Sequence, residues 1–175
     1  MPRITPKPED IAEPVELVAA IRARRGGKLN AVDRMLMHAP PLAKGWNDLF
    51  LAVRTQVTLP DKYREIAVCG VAVLHGSTFE VDVHAPLFLK AGGTQAQLEG
   101  LRTFEASSKN AGLFDERERA VMRLTIESTR HCVIDEQTFA EVRHAFPDDR
   151  QLVELIVVIA SYNMSARLIG ALQIE

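Results

Sequence analysis

Two cysteines, Cys69 and Cys132, are all that 175 residues contain. They are too few for a disulfide framework and too far apart for a CxxC redox or metal motif, so a reducing compartment is expected. An excess of charge of either sign is also missing. Lys and Arg number 21 against 23 Asp and Glu, a formal net charge of −2. That leaves no basic field to attract nucleic acid and no polybasic run for anionic lipid. The longest apolar stretch, Leu152 to Ala160, contains Glu154 and falls short of the roughly 20 apolar residues that span a bilayer. No early apolar run has the pattern of a signal peptide. A cytoplasmic protein with no nucleic-acid or membrane partner is therefore expected. Strand alternation is absent too: only Glu80 to Val83 alternates, and helical pattern flanks it on both sides. The expected fold class is all-α.

Hydrophobic residues make up 47% of the chain, ample for one core at this length. Pro2, Pro6 and Pro8 among charges mark residues 1–13 as an extended arm, followed by a single helical domain over 14–175. Pro14 to Arg25 reads as a first helix stopped by Gly26-Gly27, with Arg22, Arg24 and Arg25 solvated. Ala31 to His38 is a second, capped by Asn30. Pro40-Pro41 separates it from a third that ends near Val57, with Trp46, Leu49, Phe50 and Val53 as its apolar stripe. Thr94 to Gln97 forms a capping box for a helix through about Phe104. Glu105 to Gly112, rich in Ser, Asn and Gly, reads as a loop. Asp115 opens a helix to about Arg130, and Asp135 opens another that ends before Pro147. Asp148 to Leu172, the longest periodic segment, is expected to be the central helix of the core.

The stretch from Pro60 to Gly93 carries the chemistry. It divides into helices over Asp61–Leu74 and Thr78–Ala91, joined by a polar break at His75, Gly76 and Ser77. Glu65 stands among Ile66, Val68, Val71 and Val73, where a carboxylate needs a partner. Glu80 and His84 are spaced i to i+4 and leave one helix face together. Packing the hairpin brings two carboxylates and an imidazole together in apolar surroundings, the setting for general acid and base work. Spacing alone also fits a solvated Glu80/His84 pair, and the trio could instead hold a metal. Asn163, on the apolar stripe of the last helix, needs hydrogen-bond partners, which a packing or subunit bond supplies as readily as a ligand. His38 is read as capping or packing, His75 as bordering the site, and His131 and His144 as surface residues.

The run Leu59, Arg64, Glu65, Gly76, Phe79, Glu80, His84, Pro86, Leu87 and Ala91-Gly92 resembles the carboxymuconolactone decarboxylase family, whose relatives include the alkylhydroperoxidase D proteins. RGGKLNAVDRMLMHAPPLAKGW, LFDERERAVMRLTIESTR and the ending RQLVELIVVIASYNMSARLIGALQIE extend the resemblance over most of the chain. In the peroxidase branch a Glu is followed after twelve residues by Cys, after three more by Cys and after four more by His. Counting from Glu65 lands on Ser77, Glu80 and His84, so glutamate and histidine keep register while both redox cysteines are replaced. Many relatives carry an aromatic residue where Val81 stands.

The resemblance implies a helical bundle assembled as a homo-oligomer of dimer, trimer or hexamer type. It also implies a lyase or isomerase of aromatic-compound catabolism acting without a cofactor or metal on a small carboxylated lactone. Glu65, Glu80 and His84 would be catalytic, with His84 delivering a proton and Glu80 orienting its ring. Ser77, Phe79, Cys69 and Asn163 are candidates for substrate contact, and Arg64, Lys90, Arg102 and Arg167 for a substrate carboxylate. The alternative is the family's peroxidase (peroxiredoxin) activity, which needs a peroxidatic and a resolving sulfur within bonding reach; Ser77 and Glu80 cannot supply them. A non-catalytic or metal-binding protein on the same scaffold is the third reading.

Overall fold

The structure, a computed structural model, describes residues 1–174, and for Thr78 and Phe79 the backbone alone. The elements are α1 (Val15–Arg25), α2 (Ala31–Leu36), α3 (Pro40–Thr55), α4 (Asp61–Leu74), α5 (Thr78–Lys90), α6 (Gln95–Leu101), α7 (Phe104–Ser107), α8 (Glu116–His131), α9 (Glu136–Ala145) and α10 (Asp149–Leu172). No strand occurs among the described residues, and the fold is all-α. Two compact units form, one from Met1–Gln56 with the chain end from Arg167, the other from Val57–Ala166.

In the first unit Val18, Ile21, Leu29, Met37 and Ala43 make the core. Gly26 closes α1 with φ 71°, and its N–H donates to the Arg22 carbonyl, a left-handed cap that a Cβ would strain. Asn30 and Asp33 form a capping box on α2. The prolines expected before the third helix occupy its first turn instead, where their missing N–H costs nothing. The segment before α1 is tied by the Lys7 N–H to the Arg34 carbonyl (3.3 Å), the Arg34 Nε–H to the Lys7 carbonyl (2.6 Å) and His38 Nε2 to the Thr5 carbonyl (2.9 Å). Arg24, expected to be solvated, has a side chain only 6% exposed, because Asp33 and Asn47 hold it against the unit.

The second unit is organised by α4 rather than, as the apolar period suggests, by the last helix. α4 packs against α5 and α8, with α6 and α7 alongside, and nearly all its residues from Glu65 to Leu74 are buried. α10 turns Leu152, Leu155, Val158, Ile159 and Tyr162 inward and leaves Val153, Ile156, Val157 and Met164 exposed, a second apolar stripe at helical spacing. By length and composition α10 also passes for a membrane span, with mean hydropathy 1.6 over its best window, a test that core helices meet as well. Its charge is engaged in protein contacts. Glu154 accepts from the Thr58 and Leu59 N–H groups (2.8 Å each) and from Arg150 (2.9 Å).

The helix expected over 94–104 ends at Leu101. Thr103 donates its hydroxyl to the Gly100 carbonyl (3.3 Å), a side-chain bond that competes with helix continuation, and α7 then begins at Phe104. The loop expected over 105–112 is partly ordered and packed: Ser107 and Ser108 are buried, and Ser108 Oγ donates to the Glu105 carbonyl (2.8 Å).

The approach of α7 to α4 depends on Gly70. A Cβ there would lie 2.2 Å from Phe104 Cζ, and Phe104 is fully buried with little room to retreat. Gly70→Ala should therefore destabilise despite alanine's better helix propensity, by about 1–3 kcal/mol and about 2–4 °C of melting temperature per kcal/mol. Adding Phe104→Leu should restore part of the loss. A Gly70→Ala protein that melts no lower than wild type would remove this account of the packing.

Candidate active site

Pro60 leads into α4 and the Asp61 turn starts it. Glu65 thus falls in the second turn, on the face that packs against α5. Gly76, at φ 77°, reverses the chain, and Ser77 caps α5 by accepting from the Glu80 N–H. α5 then carries His84 in its second turn, facing α4. Both side chains are withdrawn from solvent, Glu65 at 2% and His84 at 1% exposure.

His84 Nδ1 donates to Glu65 Oε2 at 2.7 Å, and Arg64 Nε donates to Glu65 Oε1 at 3.2 Å. Arg64 is itself held by Asp61 (2.8 Å). The result is a guanidinium, carboxylate and imidazole in line. Because the carboxylate only accepts, Nδ1 carries the hydrogen. Nε2 is then a lone pair in the neutral ring and an N–H in the imidazolium. Nε2 is buried and has no hydrogen-bond partner among the described residues. The Tyr162 ring meets the His84 ring edge to face, centroids 5.7 Å apart, and limits how the imidazole can turn.

The predicted residues separate into those that meet and those that do not. Glu65 and His84 come together. Glu80, expected to orient His84, does not: its half-buried carboxylate makes no hydrogen bond among the described residues, and the orienting carboxylate is Glu65. Helix packing places the α4 carboxylate on Nδ1, and a neighbour on the same helix cannot compete at that distance. Ser77 is spent on the cap. The Phe79 side chain lies outside the described residues. Asn163 Oδ1 bonds His75 Nε2 (2.9 Å), and its amide donates to Thr129 Oγ1 and the Ile159 carbonyl (3.0 Å each), bonds that serve packing. Tyr162 is the contact that periodicity missed; its position beside Asn163 in the family-like ending was the one signal for it.

Cys69 lies one turn beyond Glu65, fully buried. Burial first, then the negative charge of Glu65, with Glu80 adding to it and Arg102 opposing, pushes the Cys69 thiol up to about 12. Thiolate chemistry near neutral pH is closed to it. Cys132 is exposed at the end of α8. Among the proposed cations, Arg64 is engaged by Glu65 and Asp61, and Arg102 by Asp82 (2.7 Å) and Glu99 (3.6 Å). Lys90, exposed at the end of α5, has no ion pair among the described residues. No three His, Cys, Asp or Glu side chains among the described residues are placed to hold a metal ion, so a Glu65/Glu80/His84 metal site does not fit this geometry.

The carboxymuconolactone decarboxylase family pattern matches residues 40–125, from the start of α3 into α8, with Glu65 and His84 inside it. Over those residues the chain is similar to the carboxymuconolactone decarboxylase family. Solved structures extend the likeness to nearly the whole chain. The debrominase Bmp8, solved with 2,3,4-tribromopyrrole, is 15% identical with a TM-score of 0.78, covering 100% of this chain and 93% of its own. An alkylhydroperoxidase AhpD core, an uncharacterized peroxidase-related protein from Ralstonia eutropha JMP134, is 16% identical with a TM-score of 0.77, covering 98% and 90%. An uncharacterized peroxidase-related protein from Silicibacter sp. TM1040 is 18% identical with a TM-score of 0.67, covering 99% and 94%. At these identities the likeness is one of fold. No curated protein sequence matches the chain. The chain itself contains no CxxC.

Proposed function

We propose that this carboxymuconolactone decarboxylase family chain is a cytoplasmic, cofactor-free lyase or isomerase. Its substrate would be a small carboxylated lactone resembling 4-carboxymuconolactone, and its chemistry general acid and base catalysis. The observation that carries the proposal is the buried Glu65–His84 hydrogen bond with Nε2 left unpartnered. A buried nitrogen without a partner is costly for folding alone, and it is the atom a proton donor or acceptor must present.

In the proposed reaction the bond between the ring carbon and the carboxylate breaks and CO2 leaves. Its electron pair moves into a dienolate whose charge rests on the lactone carbonyl. His84 Nε2–H delivers the proton to carbon and is reprotonated from solvent. Glu65 stabilises the imidazolium through Nδ1, and Arg64 fixes Glu65 so that Oε2 faces the ring. Glu80, nearer solvent on the same face of α5, would tune the site through its charge. The exposed α10 stripe of Val153, Ile156, Val157 and Met164 supports assembly into a homo-oligomer.

A panel of carboxylated lactones and organic hydroperoxides, assayed side by side with wild type and a Cys69→Ser/Cys132→Ser variant, tests this reading. Lactone turnover is expected from both proteins, unchanged within about twofold, and none with hydroperoxide. Hydroperoxide turnover that disappears in the double variant would establish the peroxidase reading instead.

A further inference from the structure

The first unit holds a cluster of charge that its own side chains do not balance. Arg24, near the end of α1, is almost fully buried. Its Nε donates to Asn47 Oδ1 on α3 at 2.7 Å, and one terminal nitrogen donates to Asp33 Oδ1 at 3.0 Å. Arg25 takes both oxygens of the same carboxylate, Nε to Oδ2 at 2.9 Å and a terminal nitrogen to Oδ1 at 3.3 Å. The Asn30 N–H adds a bond to Oδ2 at 3.1 Å. Asp33, with a side chain 1% exposed, thus accepts from two guanidiniums and a backbone amide and has little capacity left.

A third guanidinium stands beside this arrangement. Arg54 lies seven residues after Asn47 on α3, two turns along the same face, close enough for its charge to act on Arg24. Its Nε is buried without a hydrogen-bond partner, and among the described residues no carboxylate pairs with it. Burial first, then Arg25 and Arg54, opposed by Asp33, lowers the Arg24 pKa from its ordinary value. Two guanidiniums already share the one saturated carboxylate, and a third beside them with no carboxylate of its own among the described residues is unfavourable unless a second anion joins them.

We propose that the α1/α3 face at Arg24 and Arg54 binds a small oxyanion, a phosphate or carboxylate group, which completes the charge balance that Asp33 leaves open. Planar guanidiniums present paired N–H groups that match the oxygens of either group. The site lies within Met1–Gln56 and is independent of the lyase chemistry proposed for Glu65 and His84.

Inorganic phosphate is the probe, titrated calorimetrically into the full-length protein at constant ionic strength held with sodium chloride. Wild type should bind saturably with one phosphate per chain. Arg54→Gln should bind at least tenfold more weakly with an unchanged helical CD spectrum, since Arg54 holds no bond that the fold requires. Arg54→Lys, which keeps the charge but not the fork, should fall between them. Phosphate also stabilises proteins by exclusion from their surface, but that effect neither saturates nor distinguishes the variants. No saturable binding to wild type, or equal binding by wild type, Arg54→Lys and Arg54→Gln, overturns the proposal.

Discussion

His84→Gln should lower turnover of a carboxylated lactone by about 10²–10⁴-fold, the range typical of a positioned acid or base, with the helical CD spectrum and the melting temperature nearly unchanged. Glutamine fills a similar volume and can still donate to Glu65 Oε2, which His84 Nδ1 reaches at 2.7 Å, so folding has little to lose. What disappears is the imidazole Nε2, buried and without a hydrogen-bond partner among the described residues. The loss should fall on kcat, because proton delivery to carbon belongs to the transition state and not to ground-state binding. Glu80→Gln should do much less, because Glu80 does not touch the imidazole. Undiminished turnover in His84→Gln would leave the dyad as a structural polar pair and end the acid–base reading.

The hairpin that carries this chemistry was legible because its punctuation is strong. Pro60 before α4, Gly76 with Ser77 between the helices, and Ala91-Gly92 after α5 each mark a boundary by a backbone requirement. α4 runs over the predicted Asp61–Leu74, and α5 ends at Lys90, one residue short of expectation. Glu65 stood out for a related reason: a carboxylate in an apolar run demands a partner. Which partner was not legible. Helical spacing ranks neighbours along one helix and so favoured Glu80 for His84, whereas the actual contact is set by the packing of α4 on α5, which periodicity does not encode.

The same limit explains the last helix and the first arginines. α10 is apolar on two faces, and composition cannot tell a helix buried all round from one that turns a second stripe outward. Arg24 looks like any exposed arginine until tertiary structure supplies Asp33 and Asn47. Ser107 and Ser108 gave a loop signal by residue type while their surroundings bury them. Within residues 40–125 the family pattern secured the fold, but a shared scaffold leaves the reaction open, which is why the burden falls on the His84 and Glu65 variants.

Glu65→Ala should be the most destabilising single change at this site. The carboxylate is buried and accepts from His84 Nδ1 and Arg64 Nε. Removing it strands an imidazole N–H and part of a guanidinium whose side chain is 12% exposed. Breaking a buried pair from one side costs about 3–5 kcal/mol, and Arg64's remaining bond to Asp61 places the expectation near the lower end. Glu65→Gln should cost about 1–3 kcal/mol, since His84 and Arg64 reach different oxygens of the carboxylate and the amide replaces one of them with an NH2 group that faces a donor. Urea unfolding of Glu65→Ala, His84→Ala and the double variant then gives the coupling. If the hydrogen bond works as described, the double variant loses less than the two single losses together by about 0.5–3 kcal/mol. Catalysis should show the same dependence: with Glu65 gone His84 has no carboxylate to support its protonated form, so Glu65→Ala and His84→Ala together should be barely slower than His84→Ala alone. Additive losses in both stability and rate would mean that the two residues act separately, and Glu65 would have to be explained without the imidazole.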